Sequence, residues 1–358
     1  MAASTTERVI GVLLAAGVLA GLGVVVGAGC APDLGAPPSQ VSSLRILAIS
    51  GTPAEAKPGT MVAYSALLVD GTGERPDLAA GIHWAFCNQP KPLSDLDDVT
   101  AACFTLDSES FLTDLGQGPT ATGALPLQAC SLFGPDAPPS MAGMPAGRPA
   151  DPDPSGGYYQ PVRLILQAAG QLVLAAEESR ITCGLPGATS TTLASFTSEY
   201  QPNTNPTITS VVAVDAQTGS PLASVAAGQT VTLRTSWPAC APGMTSCGGA
   251  EAYALYDEQS QTVTPRCEAM TVSWFATTGT FAVDRSSPDA GAGGGLQVLD
   301  GGVDGGAPGA VVAACDGATF ADGQWTAPTT PGTALVWAVL RDDRGGVAWQ
   351  RYSIDVTP

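Results

Sequence analysis

The chain runs through one order of strand-forming segments twice, and that repeat restricts the fold more than any single motif. Leu44–Ser50 (LRILAIS) opens the first series and Thr207–Val214 (TITSVVAV) the second. A turn signal and a longer segment follow in each: Thr60–Val69 behind Pro58-Gly59, and Gln229–Trp237 behind Gly228. Within the latter, Val231, Leu233 and Trp237 fall on one face. Thr230, Thr232, Arg234 and Ser236 fall on the other, the period of a half-buried strand. A tryptophan-bearing segment comes third, Gly81–Cys87 with Trp84 and Met270–Thr277 with Trp274. Each series closes on a hairpin pattern. Pro161–Gln167 and Gln171–Ile181 flank Ala168-Ala169-Gly170; Thr333–Arg341 and Gly346–Val356 flank Asp342-Asp343-Arg344-Gly345. Long helical periodicity is scarce, and 43 glycines with 30 prolines suit a chain of short strands and many turns. The expected class is all-β.

Two copies of this order resemble tandem immunoglobulin-like (Ig-like) or PKD-like β-sandwiches. The second copy carries TVSWFATTGTF and GQWTAPTTPGTALVWAVLRDDRGG. These are similar to the "W…G.F…W.AP…G…V…D..G" pattern of bacterial Ig-like surface modules. The first copy has Tyr158-Tyr159-Gln160-Pro161 where that pattern has GxW-x-AP, and it carries a long insertion, residues 88–157. The resemblance implies two Ig-like β-sandwich domains with long irregular loops, residues 44–183 and 207–358. Residues 184–206 form the linker, ending in Pro202-Asn203-Thr204-Asn205-Pro206. Residues 134–157 read as a mobile Pro/Gly/Ala-rich loop, and the low-complexity stretch 286–309 as a disordered one.

The first thirty residues speak to location. Glu7 and Arg8 precede an uncharged apolar run, Val9 to Val26, and then Gly27-Ala28-Gly29-Cys30. Polar start, apolar centre and small residues before a cut site are the parts of a secretory signal. The cysteine behind them resembles the lipobox of bacterial lipoproteins, where the thiol is acylated and becomes the new N-terminus. That family has Leu or another bulky apolar residue three before the cysteine; here Gly27 stands there. The resemblance implies a signal peptide over 1–29, palmitate-type lipidation of Cys30 and a Pro/Ser/Gly tether over 30–43. Two other readings of the run stay open. It approaches the ~20 residues that span a bilayer, so it reads also as an uncleaved anchor; or the signal is cleaved and Cys30 enters a disulfide. Signal and modules together resemble the Ig-like lipoproteins of Gram-negative bacteria. Ala31 is not the aspartate that resembles an inner-membrane retention signal, so the expected location is the cell envelope, at the outer membrane, held by lipid.

Nine cysteines fit this reading. With Cys30 set aside, Cys87, Cys103, Cys130 and Cys183 fall in the first half and Cys240, Cys247, Cys267 and Cys315 in the second. An even set in an exported chain reads as disulfides, two per domain. The expected pairs are Cys87–Cys103, Cys130–Cys183, Cys240–Cys247 and Cys267–Cys315, although each set of four admits three pairings. No CxxC occurs and His83 is the one histidine, which argues against structural zinc.

Charge and motifs exclude more than they assign. With 14 Lys plus Arg against 32 Asp plus Glu, the formal charge of −18 repels phosphate backbones and anionic lipid surfaces. No nucleic-acid partner is expected, and membrane association rests on the N-terminus. A nucleophile elbow is lacking, and His83 beside Trp84 reads as an ordinary strand-surface residue. The acidic clusters Asp95/Asp97/Asp98, Asp151/Asp153 and Asp300/Asp304 lack EF-hand spacing and read as solvated loop charge rather than calcium sites. Asp342 to Gly346 reads as an exposed hairpin tip built on turn chemistry. Trp325, Trp337 and Trp349 cluster near the final hairpin; core packing accounts for at least two, and an exposed row would mark a sugar-binding face. The expected function is structural, adhesive or protein-binding at the envelope, without catalysis, metal or cofactor, toward an envelope protein or glycan. The alternative is a carbohydrate-binding accessory module.

Overall fold

The computed structural model describes residues 37–90, 99–105, 109–135, 154–168, 170–185, 187–215, 217–241, 244, 246–288, 315 and 317–358. The signal segment, Cys30, Asp95 to Asp98, Asp151, Asp153 and residues 289–309 of the glycine-rich stretch lie outside them. In the first half the strands are β1 (Arg45–Thr52), β2 (Glu55–Ala56), β3 (Met61–Asp70), β4 (Gly73–Glu74), β5 (His83–Cys87), β6 (Leu112–Gln117), β7 (Thr120–Ala124), β8 (Gly157–Ala168) and β9 (Gln171–Thr182). A helix, Ser190–Glu199, lies in the linker. The second half has β10 (Ser210–Val214), β11 (Val225–Ala226), β12 (Thr230–Ser236), β13 (Ala252–Asp257), β14 (Thr262–Cys267), β15 (Thr271–Ala276), β16 (Thr280–Phe281), β17 (Arg285–Ser286), β18 (Phe320–Thr326), β19 (Gly332–Arg341) and β20 (Val347–Thr357).

The halves share one pairing scheme. In the first, β3 pairs with β1 and β7 on one sheet, and the other sheet runs β2-β9-β8-β5-β6. In the second, one sheet runs β10-β12-β18-β16 and the other β11-β20-β19-β15-β17. Both times the leading strand splits. Its first part pairs antiparallel in one sheet, and its second part crosses to lie parallel to the last strand, β2 on β9 and β11 on β20. This is the immunoglobulin-type sandwich, twice. The β13–β14 hairpin is an addition between the second and third long strands of the second copy.

Each sandwich closes on a tryptophan of its third long strand. Trp84 is 1% exposed and donates its indole N–H to the Gly118 carbonyl at 2.8 Å. Trp274 is fully buried, stacks on Phe281 and donates to Ser286 Oγ at 2.8 Å. Indoles settle in a core only when the N–H finds such a partner. Gly323 of β18 faces the Trp274 ring: a Cβ there would stand 2.6 Å from its nitrogen, so the residue type follows from the packing.

A third core lies between the sandwiches. On the second, Trp337 and Val339 of β19 with Val347 of β20 point away from their own interior. They bury against Leu47, Ala48, Leu67 and Val69 on the first, with Val41 of the preceding segment joining the cluster. Trp337 has no exposed surface, and its indole donates to Glu74 Oε1 at 3.3 Å. Further bonds cross the same boundary, Ser50 Oγ to the Val347 carbonyl and Arg341 Nη2 to the Leu47 carbonyl. Residues 38–358 accordingly form one compact unit. The described end of the expected tether is seated too: Val41 is buried, and the backbone at Ser39 and Val41 exchanges hydrogen bonds with Ala276.

Replacing Trp337 with alanine removes the largest fully buried ring of the core shared by the two sandwiches. The expected loss is ~3–5 kcal/mol, as for other buried aromatic truncations. Chemical denaturation of the purified chain measures it. A loss near zero would mean that the third core does not form in solution.

Candidate functional site at the junction

The linker runs through the boundary between sandwiches, and polar groups collect around it. Asn205 joins both halves with one amide: Nδ2 donates to the Gly51 carbonyl at 2.7 Å, and Oδ1 accepts from the Val347 N–H at 2.9 Å. Two arginines organise the rest.

Arg180 of β9 and Glu55 of β2 form a pair whose side chains are 1% and 0% exposed, with Nε donating to Oε2 at 3.0 Å. Glu55 also accepts from the Tyr200 hydroxyl, the Asn203 N–H and Thr182 Oγ1. Burial works to raise this carboxyl. The Arg180 charge and the three donors outweigh it and hold Glu55 below the usual carboxylate range. Arg180 continues to Ser155 and to the Tyr159 hydroxyl, so the cluster ties the first sandwich to the linker.

Arg344, at the tip of the β19–β20 hairpin, is 2% exposed. It meets Glu268 through Nε at 2.7 Å and Nη2 at 2.6 Å, and Glu251 at 3.5 Å. It donates through Nη1 to the Gln201 carbonyl and sits 4.8 Å over the Tyr253 ring. Burial pushes the Glu268 carboxyl up to about 8, against the pull of Arg344. The sequence reading of Asp342 to Gly346 as an exposed tip is therefore corrected. Asp342 and Arg344 are buried, and Asp343 alone of the charged three stays exposed. The tip turns inward because the linker and the β13–β14 segment supply carbonyls and carboxylates that solvate the guanidinium in place of water.

Beside the junction opens a cleft of about 720 Å³ whose walls include Phe104, Tyr159, Glu177, Arg285, Arg341 and Asp343. Its size suits a small ligand. Among the described residues its lining has no Ser, Thr, Cys, His or Lys; its polar side chains are Tyr159, Glu177, Glu178, Arg285, Arg341 and Asp343. Glu177 stands there half-buried, pushed up to about 8 chiefly by burial.

The other sequence candidates are dispersed. His83 is exposed at the start of β5, outside the cleft. The disulfides are Cys87–Cys103, Cys130–Cys183, Cys240–Cys247 and Cys267–Cys315, with Cα–Cα separations of 5.7, 5.4, 5.5 and 5.6 Å. They staple loops to strand ends: Cys103 lies in a short turn beyond β5, and Cys183 directly follows β9. Trp325 and Trp337 are fully buried, and Trp349 is partly covered in the third core. Every aromatic residue of the chain falls in the described segments, and none is exposed. Among the described residues, no group of acidic, His or Cys side chains could hold a metal ion.

No family model and no curated protein matches the chain. Among solved structures it is similar to the D0-D1 domain of intimin, at 12% identity over 87% of this chain and 99% of that one, with a TM-score of 0.21. It is also similar to domains 4 and 5 of the S-layer protein SbsC, at 7% identity over 88% and 100%, TM-score 0.16. The Yersinia pseudotuberculosis adhesin InvE aligns at 11% identity over 90% of this chain and 62% of that one, TM-score 0.19. At such scores the immunoglobulin-type assignment rests on the strand order and pairing above.

Glu55→Gln should cost ~3–5 kcal/mol, because it leaves Arg180 buried without its counter-charge. Adding Arg180→Met to Glu55→Gln should restore part of that loss. Denaturation midpoints of the single and double variants test the pair; a single variant as stable as the parent would remove it from the stabilising set.

Proposed function

We propose that the chain is a cell-envelope lipoprotein, held by lipid on Cys30, whose rigid pair of Ig-like sandwiches serves a structural, adhesive or protein-binding role. One observation carries the reading: eight of the nine cysteines pair among themselves, which leaves Cys30 alone at the end of an apolar, small-residue signal. A thiol in that place, in a chain whose other thiols are oxidised, suits acylation in an exported protein. The outer membrane is the proposed site, from Ala31.

The exposed His83, outside the cleft, supports a non-catalytic role. A glycan partner has less to recommend it, because a sugar platform needs aromatic faces open to solvent and every ring is buried or partly covered. We favour a polypeptide partner of the envelope over a glycan.

Replacing Cys30 with serine should abolish incorporation of labelled palmitate and leave unprocessed precursor in the producing cell. Unchanged labelling would refute the lipoprotein reading. In parallel, the purified chain should show no turnover on an esterase, peptidase and glycosidase panel. Activity lost on changing His83 or one carboxylate would overturn the non-enzyme assignment.

A further inference from the structure

We infer that Asp342 is held as the neutral acid and that its proton fastens the linker to the final hairpin, with Oδ2–H donating to Asn203 Oδ1. The hydrogen-bond inventory leads there. Asp342 Oδ1 accepts from the Arg344 N–H at 2.9 Å, the Gly346 N–H at 2.8 Å and Asn203 Nδ2 at 3.1 Å. Its Oδ2 is buried and has no partner, and Asn203 Oδ1 is in the same position. The residues are 7% and 2% exposed. Two acceptors on side chains already joined by one bond cannot satisfy each other. A single proton on Oδ2 satisfies both and closes an acid–amide ring. Left ionised, the pair would carry two orphaned buried acceptors, each costing the desolvation of a polar group.

The surrounding charges point the same way. Arg344, on the same hairpin, is committed to Glu268 at 2.6 Å and faces Glu251 at 3.5 Å. Asp342 is then a third buried carboxyl around one guanidinium. Glu268 follows β14 and Glu177 lies on β9; a charge on Asp342 would raise both carboxyls further, a repulsion that its proton removes. Arg341 acts on Glu177, while Asp343 is exposed and bonded by the Tyr253 hydroxyl. Burial is also the leading influence on Asp342, and it raises the carboxyl against the pull of its donors and Arg344. With a folded-state value above the unfolded one, near 3.9, stabilisation from this group is complete below about pH 4. It is lost as pH rises through the folded value.

Asp342→Asn tests the inference, because an amide reproduces the neutral acid, accepting on one side and donating on the other. In the full chain with its disulfides intact, the variant should melt at or above the parent temperature at pH 8. That advantage should shrink as pH falls toward 4. A variant less stable than the parent at pH 8 would overturn the inference, since it would show that Arg344 and the two backbone donors need a carboxylate. Carbon-13 carboxyl titration of the parent gives an independent reading. The Asp342 resonance should titrate above the ordinary aspartate range; titration within or below that range would also overturn the proton assignment.

Discussion

The structure depends on burying a sheet face that an isolated immunoglobulin-type sandwich leaves in water. Trp337 and Val339 stand on the outer side of β19, and each is fully buried because the first sandwich lies over them. That contact makes the two halves a single body, and the polar junction then follows from geometry. A linker trapped between two packed sandwiches has buried backbone groups that need partners. Glu55 and Arg344 supply them, reaching the Asn203 N–H and the Gln201 carbonyl, while the linker's own Asn205 bonds Gly51 on one sandwich and Val347 on the other. Apolar contact brings the halves together, and the polar set fixes how they register. A buried charged set is weak evidence for added stability, so its structural consequence here is the single arrangement it permits.

Much of this fold was legible in the sequence, because sandwich strands announce themselves by period. Gln229–Trp237 alternates in the residues and in the structure, where Val231, Leu233 and Trp237 are buried. The tryptophans of the third strands mark both cores. The third core was harder to see, yet its signal was present. Ala334 to Leu340 (ALVWAVL) does not alternate, and a strand apolar on both faces is a strand covered on both faces. Reading it as one side of an ordinary hairpin hid the second sandwich's partner.

Other elements left weaker traces. The linker helix is Ser- and Thr-rich, so neither propensity nor a strong apolar stripe reveals it. It forms because Thr189 caps the Thr192 N–H and Phe196 buries against Ala254 and Tyr256 of the β13–β14 hairpin. That is a tertiary cause, invisible to local pattern. The charged tip Asp342-Asp343-Arg344 misled for the complementary reason. Charge density at a turn normally means solvent, and only three-dimensional packing shows that Glu268, Glu251 and Gln201 take the place of water around Arg344.

The two arginine clusters respond to acidity in opposite senses. Glu55 sits below its ordinary value, so its contribution is complete above the unfolded carboxylate value and is lost as pH falls through the lowered one. Glu268 sits near 8, so its contribution is complete below the unfolded value and declines as pH rises toward 8. The unfolded reference for both is about 4.3, and the favourable ranges meet there. Acid below that range protonates Glu55 and weakens the Arg180 cluster, which ties the linker to the first sandwich. Rising pH instead charges Glu268 in a buried setting, a cost to the folded state that its contact with Arg344 only partly offsets. Two similar arginine–glutamate contacts thus carry opposite pH dependence, because burial outweighs pairing at one and pairing outweighs burial at the other.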